Sequence, residues 1–265
     1  MKDTQIAMIQ DHYSVNEEQK NIEKIKQSVK RAKELSPDLG AAVLPEMCVS
    51  GYQAGHPYAP DAGHAEDSHY DDLSAFAKEL NIYLFYGFAE AIPEEKQVYN
   101  AVNVVGPTGK LAGTYRKIHC TSGEPSFKKG STPLVLSTEI GRIGVMICWD
   151  LAFPEHAAFL ANEGADMLVA PSAWEEPYEH AFHGFASSRA RDHSLYVAAV
   201  NQTGESGPFS FFGESSLYAP DGRLQQQLHS GKPDIGSPSL DGTYQHSCRQ
   251  TFYTMNQERR TDIFS

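Results

Sequence analysis

Long hydrophobic runs are absent from this 265-residue chain. No apolar stretch approaches the roughly 20 residues that a membrane-spanning helix needs. The opening run, MKDTQIAMIQDHY, is too short for a signal peptide and reads as a first strand. Cysteine is scarce: four residues, none in a CxxC pair, argue against both a disulfide framework and a structural zinc site. Positive charge is also in short supply. With 22 basic against 34 acidic residues the formal charge is −12, and no Lys/Arg stripe offsets it, so nucleic-acid and anionic-membrane partners are disfavoured. A Gly-x-Ser-x-Gly elbow, a Walker A loop and a Gly-x-Gly-x-x-Gly fingerprint are all missing, which removes the commonest serine-hydrolase and nucleotide-binding readings. Repeats, low-complexity tracts and Ser/Gly-rich linkers are missing too. A single domain over residues 1–265, in a reducing cytoplasm, acting on a small molecule, is the expectation these gaps leave.

What is present alternates. Ile22, Ile25, Val29 and Ala32 recur at helical spacing between Glu17 and Leu35, with Ser14 and Glu17 at capping-box distance ahead of them. Leu73, Phe76, Ala77 and Leu80 mark a second amphipathic helix. Short apolar strands lie between such segments at Ile6–Gln10, Ala41–Leu44, Ile82–Phe88, Met167–Ala170 and Tyr196–Val200. That alternation is α/β with parallel pairing. Three other stretches read as hairpins, around Gly106–Gly109, Glu139–Gly141 and Pro220–Gly222, so the sheets should be mixed. From about residue 230 the composition turns to Gly, Pro, Ser and His, and Ser230–Gln250 reads as an irregular tail.

Three residues at strand ends can carry chemistry. Cys148 follows the strand-like run Arg142–Ile147 and precedes Pro154, a good first residue for a helix. A thiol at such a corner is presented at a sheet edge beside free backbone N–H groups, although most strand-end cysteines are simply buried. Glu46 ends Ala42-Val43-Leu44-Pro45; it is either solvated loop or a base able to take a thiol proton and later activate water. Lys117 closes Gly113–Arg116, and is either a surface charge or an ammonium that stabilises an oxyanion.

Together these segments resemble the nitrilase superfamily, the carbon-nitrogen hydrolases, in its amidase and carbamoylase branch. Leu44-Pro45-Glu46-Met47 with Gly51-Tyr52 is similar to the family's glutamate motif. Tyr115-Arg116-Lys117-Ile118-His119 resembles its lysine motif, and Cys148-Trp149-Asp150-Leu151-Ala152-Phe153-Pro154-Glu155 its cysteine motif. Their order and spacing agree with the family. Gly123-Glu124, Pro171-Ser172-Ala173-Trp174, Arg189-Ala190 with Asp192, Val200-Asn201 and Phe212-Gly213-Glu214-Ser215 resemble further family segments, as does Arg259–Phe264 at the end. His193 stands where the family usually has Asn.

The resemblance implies a four-layer α-β-β-α sandwich with two mixed sheets, a homodimer or higher homo-oligomer, and no metal or organic cofactor. It implies that Cys148 attacks the substrate carbon, that Glu46 moves the proton, that Lys117 and the backbone N–H of Trp149 hold the oxyanion, and that Glu124 orients Lys117. Tyr52, Phe153 and Trp174 are candidate substrate walls, and Arg189 and Arg191 are open candidates for a substrate carboxylate. Asp150, where true nitrilases tend to carry Glu, favours small amides or N-carbamoyl compounds. Nitrile hydrolysis by the same triad, a non-catalytic binding protein on the scaffold, and a redox role for Cys148 with a resolving cysteine remain alternatives. Cys120 is expected near the pocket without acting in it, Cys48 buried near Glu46, and His56, His64 and His69 in a solvated loop.

Overall fold

Side-chain alternation sorts the first strands between two cores. In β1 (Thr4–Gln10) Ile6 and Met8 face one core while Ala7 and Ile9 face another. Helix α1 (Glu18–Leu35) packs Ile22, Ile25 and Val29 into the second core, each worth roughly 1.5–3 kcal/mol when fully buried. β2 (Leu39–Val43) divides the same way, with Ala41 and Val43 opposite Ala42. α2 (Ser68–Leu80) adds Leu73, Phe76 and Ala77 beside α1. In β3 (Tyr83–Ala91), Phe85 points one way and Leu84, Tyr86 and Phe88 the other. β4 (Val98–Val105) and β5 (Leu111–Arg116) form the hairpin expected around Gly106–Gly109. The computed structural model describes residues 1–53, 55, 58, 68–92, 95, 97–260, 262 and 263.

A second sheet closes the first core from its far side. β6 (Leu134–Thr138) pairs antiparallel with β7 (Gly141–Val145), and α3 (Pro154–Asn162) follows with Pro154 in its first turn. β8 (Met167–Ser172), α4 (Glu179–His193) and β9 (Tyr196–Asn201) continue the chain. β8 and β9 are buried at every position because both faces of the sheet are covered. A ribbon of β10 (Thr203–Ser206) and β11 (Phe209–Phe212) was not legible in advance. β12 (Ser216–Tyr218) and β13 (Leu224–Gln227) make the third expected hairpin.

The strand order β13-β12-β9-β8-β7-β6 gives a mixed six-stranded sheet. Its apolar residues share one cluster with Ile6, Met8, Val43, Phe85, Val102 and Val104 of the first sheet and with Ala157, Leu160, Phe182 and Ala186 of α3 and α4. Helices α1 and α2 cover the outer face of the first sheet. This is the four-layer arrangement expected from the resemblance.

Two expectations fail. Ser230–Gln250 is not irregular: β14 (Asp234–Gly236) and β15 (Ser239–Leu240) both pair with β1, and α5 (Gly242–Thr251) follows, then α6 (Met255–Glu258). Strands of two or three residues carry no readable period. Their order comes from β1 and from Gln10, whose Nε2 donates to the carbonyls of His229 and Lys232 at 2.7 and 2.8 Å. The capping box is also absent. Glu17 caps α1 without a side-chain bond, and Ser14 is held instead by Asn21, which bonds its backbone N–H and C=O at 3.1 and 2.8 Å. Asn21 reaches on to the Val49 carbonyl at 2.9 Å, tying the helix to the loop after β2.

Candidate active site

Glu46 sits in a tight turn just beyond β2. The next residue, Met47, has left-handed backbone at φ 55°, and the turn rests directly on Gly87 of β3. A Cβ on Gly87 would lie 2.3 Å from the Met47 nitrogen, so only glycine admits the turn here. Gln202 Nε2 donates to the Glu46 carbonyl at 2.9 Å from the opposite sheet. The carboxylate itself is wholly buried. Its Oε1 accepts from Asn100 Nδ2 at 2.6 Å and from Lys117 Nζ at 2.7 Å, while Oε2 has no partner among the described residues.

Lys117 follows β5 and is 1% exposed. Its ammonium touches Glu46 and both oxygens of Glu124, at 2.8 and 3.1 Å. Burial alone would lower the lysine pKa, but the two carboxylates outweigh it and hold Lys117 well above the ordinary range. Glu124 in turn accepts from the Thr121 N–H at 2.7 Å and from the Tyr52 hydroxyl at 3.2 Å. The two carboxylates part company. Burial pushes Glu46 up despite Lys117, whereas Lys117 and the Thr121 bonds overcome burial and hold Glu124 down. Of the pair, Glu46 is therefore the better base.

Cys148 begins a 3₁₀ turn, Cys148–Ala152, between β7 and α3, and its backbone is left-handed at φ 48°. A non-glycine residue there costs about 1–2 kcal/mol. Asp150 supplies the restraint. Its Oδ2 accepts from the Ile147 N–H at 2.9 Å and the Tyr115 hydroxyl at 2.7 Å; its Oδ1 accepts from the His119 N–H at 3.0 Å and lies 2.7 Å from the His119 ring. Burial works against the ionised form, yet His119, His156 and Tyr115 outweigh it and keep Asp150 well below the usual carboxylate range. Burial, then Glu46, pushes the Cys148 thiol well above its ordinary pKa, so the resting group is a neutral thiol whose proton needs a base.

Cys148 opens into a cavity of about 640 Å³ lined also by Lys117, Tyr52, Cys120, Trp149, Trp174, Glu175, Phe185 and Phe209. It lies at the C-terminal ends of β2, β5, β7 and β8, where open α/β sheets usually take ligands. A larger groove of about 1020 Å³ opens at the other ends of the strands, among Lys2, Thr4, Leu39, Tyr83 and Asp241, with no cysteine or histidine among its described lining residues.

A family model for carbon-nitrogen hydrolases matches residues 5–249. The chain belongs to that family. Among similar proteins, the probable nitrilase C965.09 of Schizosaccharomyces pombe is 33% identical over 264 residues, covering 98% of this chain and 96% of that protein. Omega-amidase NIT3 of Saccharomyces cerevisiae is 27% identical, covering 98% and 94%. The crystal structure of Saccharomyces cerevisiae Nit3, a member of branch 10 of the nitrilase superfamily, superposes with a TM-score of 0.90 at 26% identity over 97% of each chain.

Within this family frame, the structure brings Glu46, Lys117, Glu124, Cys148, Trp149, Tyr52 and Trp174 to one place. Phe153 stands apart: its ring stacks on His119 at 3.7 Å and is not among the residues lining the cavity. Arg189 and Arg191 are also elsewhere. Arg189 bonds the Leu151 carbonyl and Asp192, and Arg191 bonds the Asp221 carbonyl. Cys120 lines the cavity, with its thiol pushed up to about 12 by burial. Cys48 is buried as expected, its thiol donating to the Gly87 carbonyl. His69 is buried in α2 rather than solvated, and His56 and His64 lie outside the described residues.

Sequence reasoning missed Asn100, Gln202, Glu175, Phe185 and Phe209. Each sits in an ordinary strand, helix or loop segment that carries no signal of its own. His119, Asp150 and His156 offer ligand atoms within 4.8 Å of one another, the one such group among the described residues. The Asp150 oxygens are already committed to four hydrogen bonds, one each with Ile147 and Tyr115 and two with His119, which makes this group a clamp on the Cys148 turn. No described helix is long and apolar enough to cross a membrane.

Proposed function

We propose that the protein hydrolyses the carbon–nitrogen bond of small amides through a Cys148 acyl-enzyme. The observation that carries this reading is the sealed ion cluster: an ammonium held between two carboxylates of opposite pKa tendency, at the foot of the cavity that holds a neutral thiol. Cys148 Sγ attacks the amide carbon as Glu46, through its unpartnered Oε2, takes the thiol proton. Lys117 and the Trp149 N–H stabilise the oxyanion. Glu46 returns the proton to the leaving nitrogen, which departs as ammonia or an amine. It then takes a proton from water; the hydroxide so formed attacks the thioester carbon, the carbon–sulfur bond breaks, and Glu46 returns the proton to the Cys148 sulfur. Glu124 keeps Lys117 charged and in place, and Tyr52 braces Glu124.

The cavity's closed foot suits a primary amide or N-carbamoyl group, and relatives named omega-amidase support the amide reading. The test is ammonia release from a panel of short amides, N-carbamoyl compounds and nitriles, with wild type and Cys148→Ala side by side. Release from amides that falls by about 10⁴-fold or more in Cys148→Ala fits the mechanism. Undiminished release by the variant removes it, and release from nitriles alone reassigns the reaction.

A further inference from the structure

The cavity above Cys148 combines aromatic walls with one carboxylate that has no ion-pair partner among the described residues. Trp149, Trp174 and Phe185 form a three-ring group with centroids 5.5, 6.1 and 6.4 Å apart and no two rings parallel. Glu175 lines the same cavity. Its backbone is fixed by a bridge to Phe211 of the β10–β11 ribbon, so the side chain is not on a free loop. The carboxylate is half-buried and makes no ion pair among the described residues, its hydrogen bond being to its own backbone N–H. Every other carboxylate near the site has a partner: Glu46 and Glu124 share Lys117, and Asp150 holds His119 and Tyr115.

Among the described residues lining the cavity, Lys117 is the one cation, and it is sealed between Glu46 and Glu124. Neither arginine considered for a substrate carboxylate reaches the cavity. A carboxylate-tailed amide would therefore bring a second negative charge to Glu175 with no counter-ion, in a chain of formal charge −12. A cation does the reverse. It neutralises Glu175 and is attracted to the faces of two tryptophans in a partly desolvated space.

We infer that Glu175, with Trp149 and Trp174, forms a subsite for a positively charged group on the substrate's acyl side, so that the preferred substrates are amides ending in an ammonium or guanidinium. This rests on the amide-hydrolase reading for its chemistry but not for its binding. Burial first, and then Glu124, raise the Glu175 pKa, and its own backbone N–H and Lys117 offset them only in part, so a cation bound beside it would relieve the cost.

Three amides of matched length test it: ε-aminocaproamide, hexanamide and the monoamide of adipic acid. Steady-state ammonia release at neutral pH is expected to rank them in that order of kcat/KM, with about tenfold between the first and second, the scale of one cation–π contact plus one charge pair. Glu175→Gln is expected to remove most of the cationic advantage through KM, and Glu175→Lys to invert the ranking. Calorimetric titration of the same amides into Cys148→Ala protein separates binding from turnover. Cation-selective binding without turnover in wild type supports the subsite and overturns the amidase reading. Equal binding of all three, preference for the carboxylate, or a ranking untouched by Glu175→Gln overturns the subsite.

Discussion

Two turns of the same kind face each other across the sandwich, and they differ in what holds them. The Glu46 turn and the Cys148 turn both leave the C-terminal end of a parallel-paired strand and both contain one left-handed residue, Met47 and Cys148. The first is held by contact. It lies on Gly87 with no room for a methyl group, and its carboxylate is sealed at 0% exposure. The second is held by charge, through the many-handed acceptor Asp150, and Cys148 as a whole residue keeps 8% exposure and lines the cavity. A base works best sealed, because burial raises its pKa; a nucleophile must meet substrate and cannot be sealed. Under the mechanism proposed above, with Glu46 as base and Cys148 as nucleophile, the two restraints suit those two demands.

Breaking the chemistry of the sealed turn gives the largest effect. Glu46→Gln keeps the shape and removes the base, so kcat/KM for amides should fall about 10²–10⁴-fold. The same comparison is sharpened by pH. Glu46 must be ionised to act and its pKa is raised, so activity is lost as pH falls through a value above the ordinary glutamate range of about 4.3. An acid limb of kcat/KM at or below that range would contradict the assignment.

Next comes the packing of that turn. Gly87→Ala forces the Met47 backbone away from β3, and a displacement of about 1 Å at a reacting group is worth roughly 10²-fold in rate. Activity should fall far more than the melting temperature. A variant of wild-type activity would mean that the turn slides without consequence.

The smallest effect is expected at the charged clamp. Asp150→Asn retains the shape but weakens the bonds to Ile147, Tyr115 and His119, and should destabilise the protein by about 1–3 kcal/mol at neutral pH in urea denaturation. The folded-state pKa of Asp150 is depressed, so its contribution is present above the unfolded aspartate value and lost as pH falls through the folded one. The difference between wild type and variant should shrink in acid. A difference independent of pH would show that the charge of Asp150 is not what holds the turn.

Much of this was readable along the chain. Period-2 and period-3.6 patterns are local, so β1, α1, β3, the three hairpins and Pro154 at the start of α3 could be found without neighbours in space. Cys148, Lys117 and Glu46 stood out because each ends a strand within a recognisable motif. Three things depended on distant partners. The pairing of β14 and β15 with β1 needed an edge more than 220 residues earlier in the chain, the replacement of the Ser14 cap by Asn21 needed a competing donor, and the place of Phe153 needed the ring of His119.

By itself, then, the sequence determined the strands, helices and hairpins and marked Glu46, Lys117 and Cys148 as candidates, because periodicity and strand-end motifs are written in neighbouring residues, while the four layers came with the family resemblance. Only the tertiary structure separated the two carboxylates in proton affinity, since Glu46 and Glu124 are chemically alike until burial and Lys117 push them apart. It also decided what the cavity can hold. Glu175 is one of many glutamates in the chain, and its lack of an ion-pair partner among the described residues is a property of what folds around it.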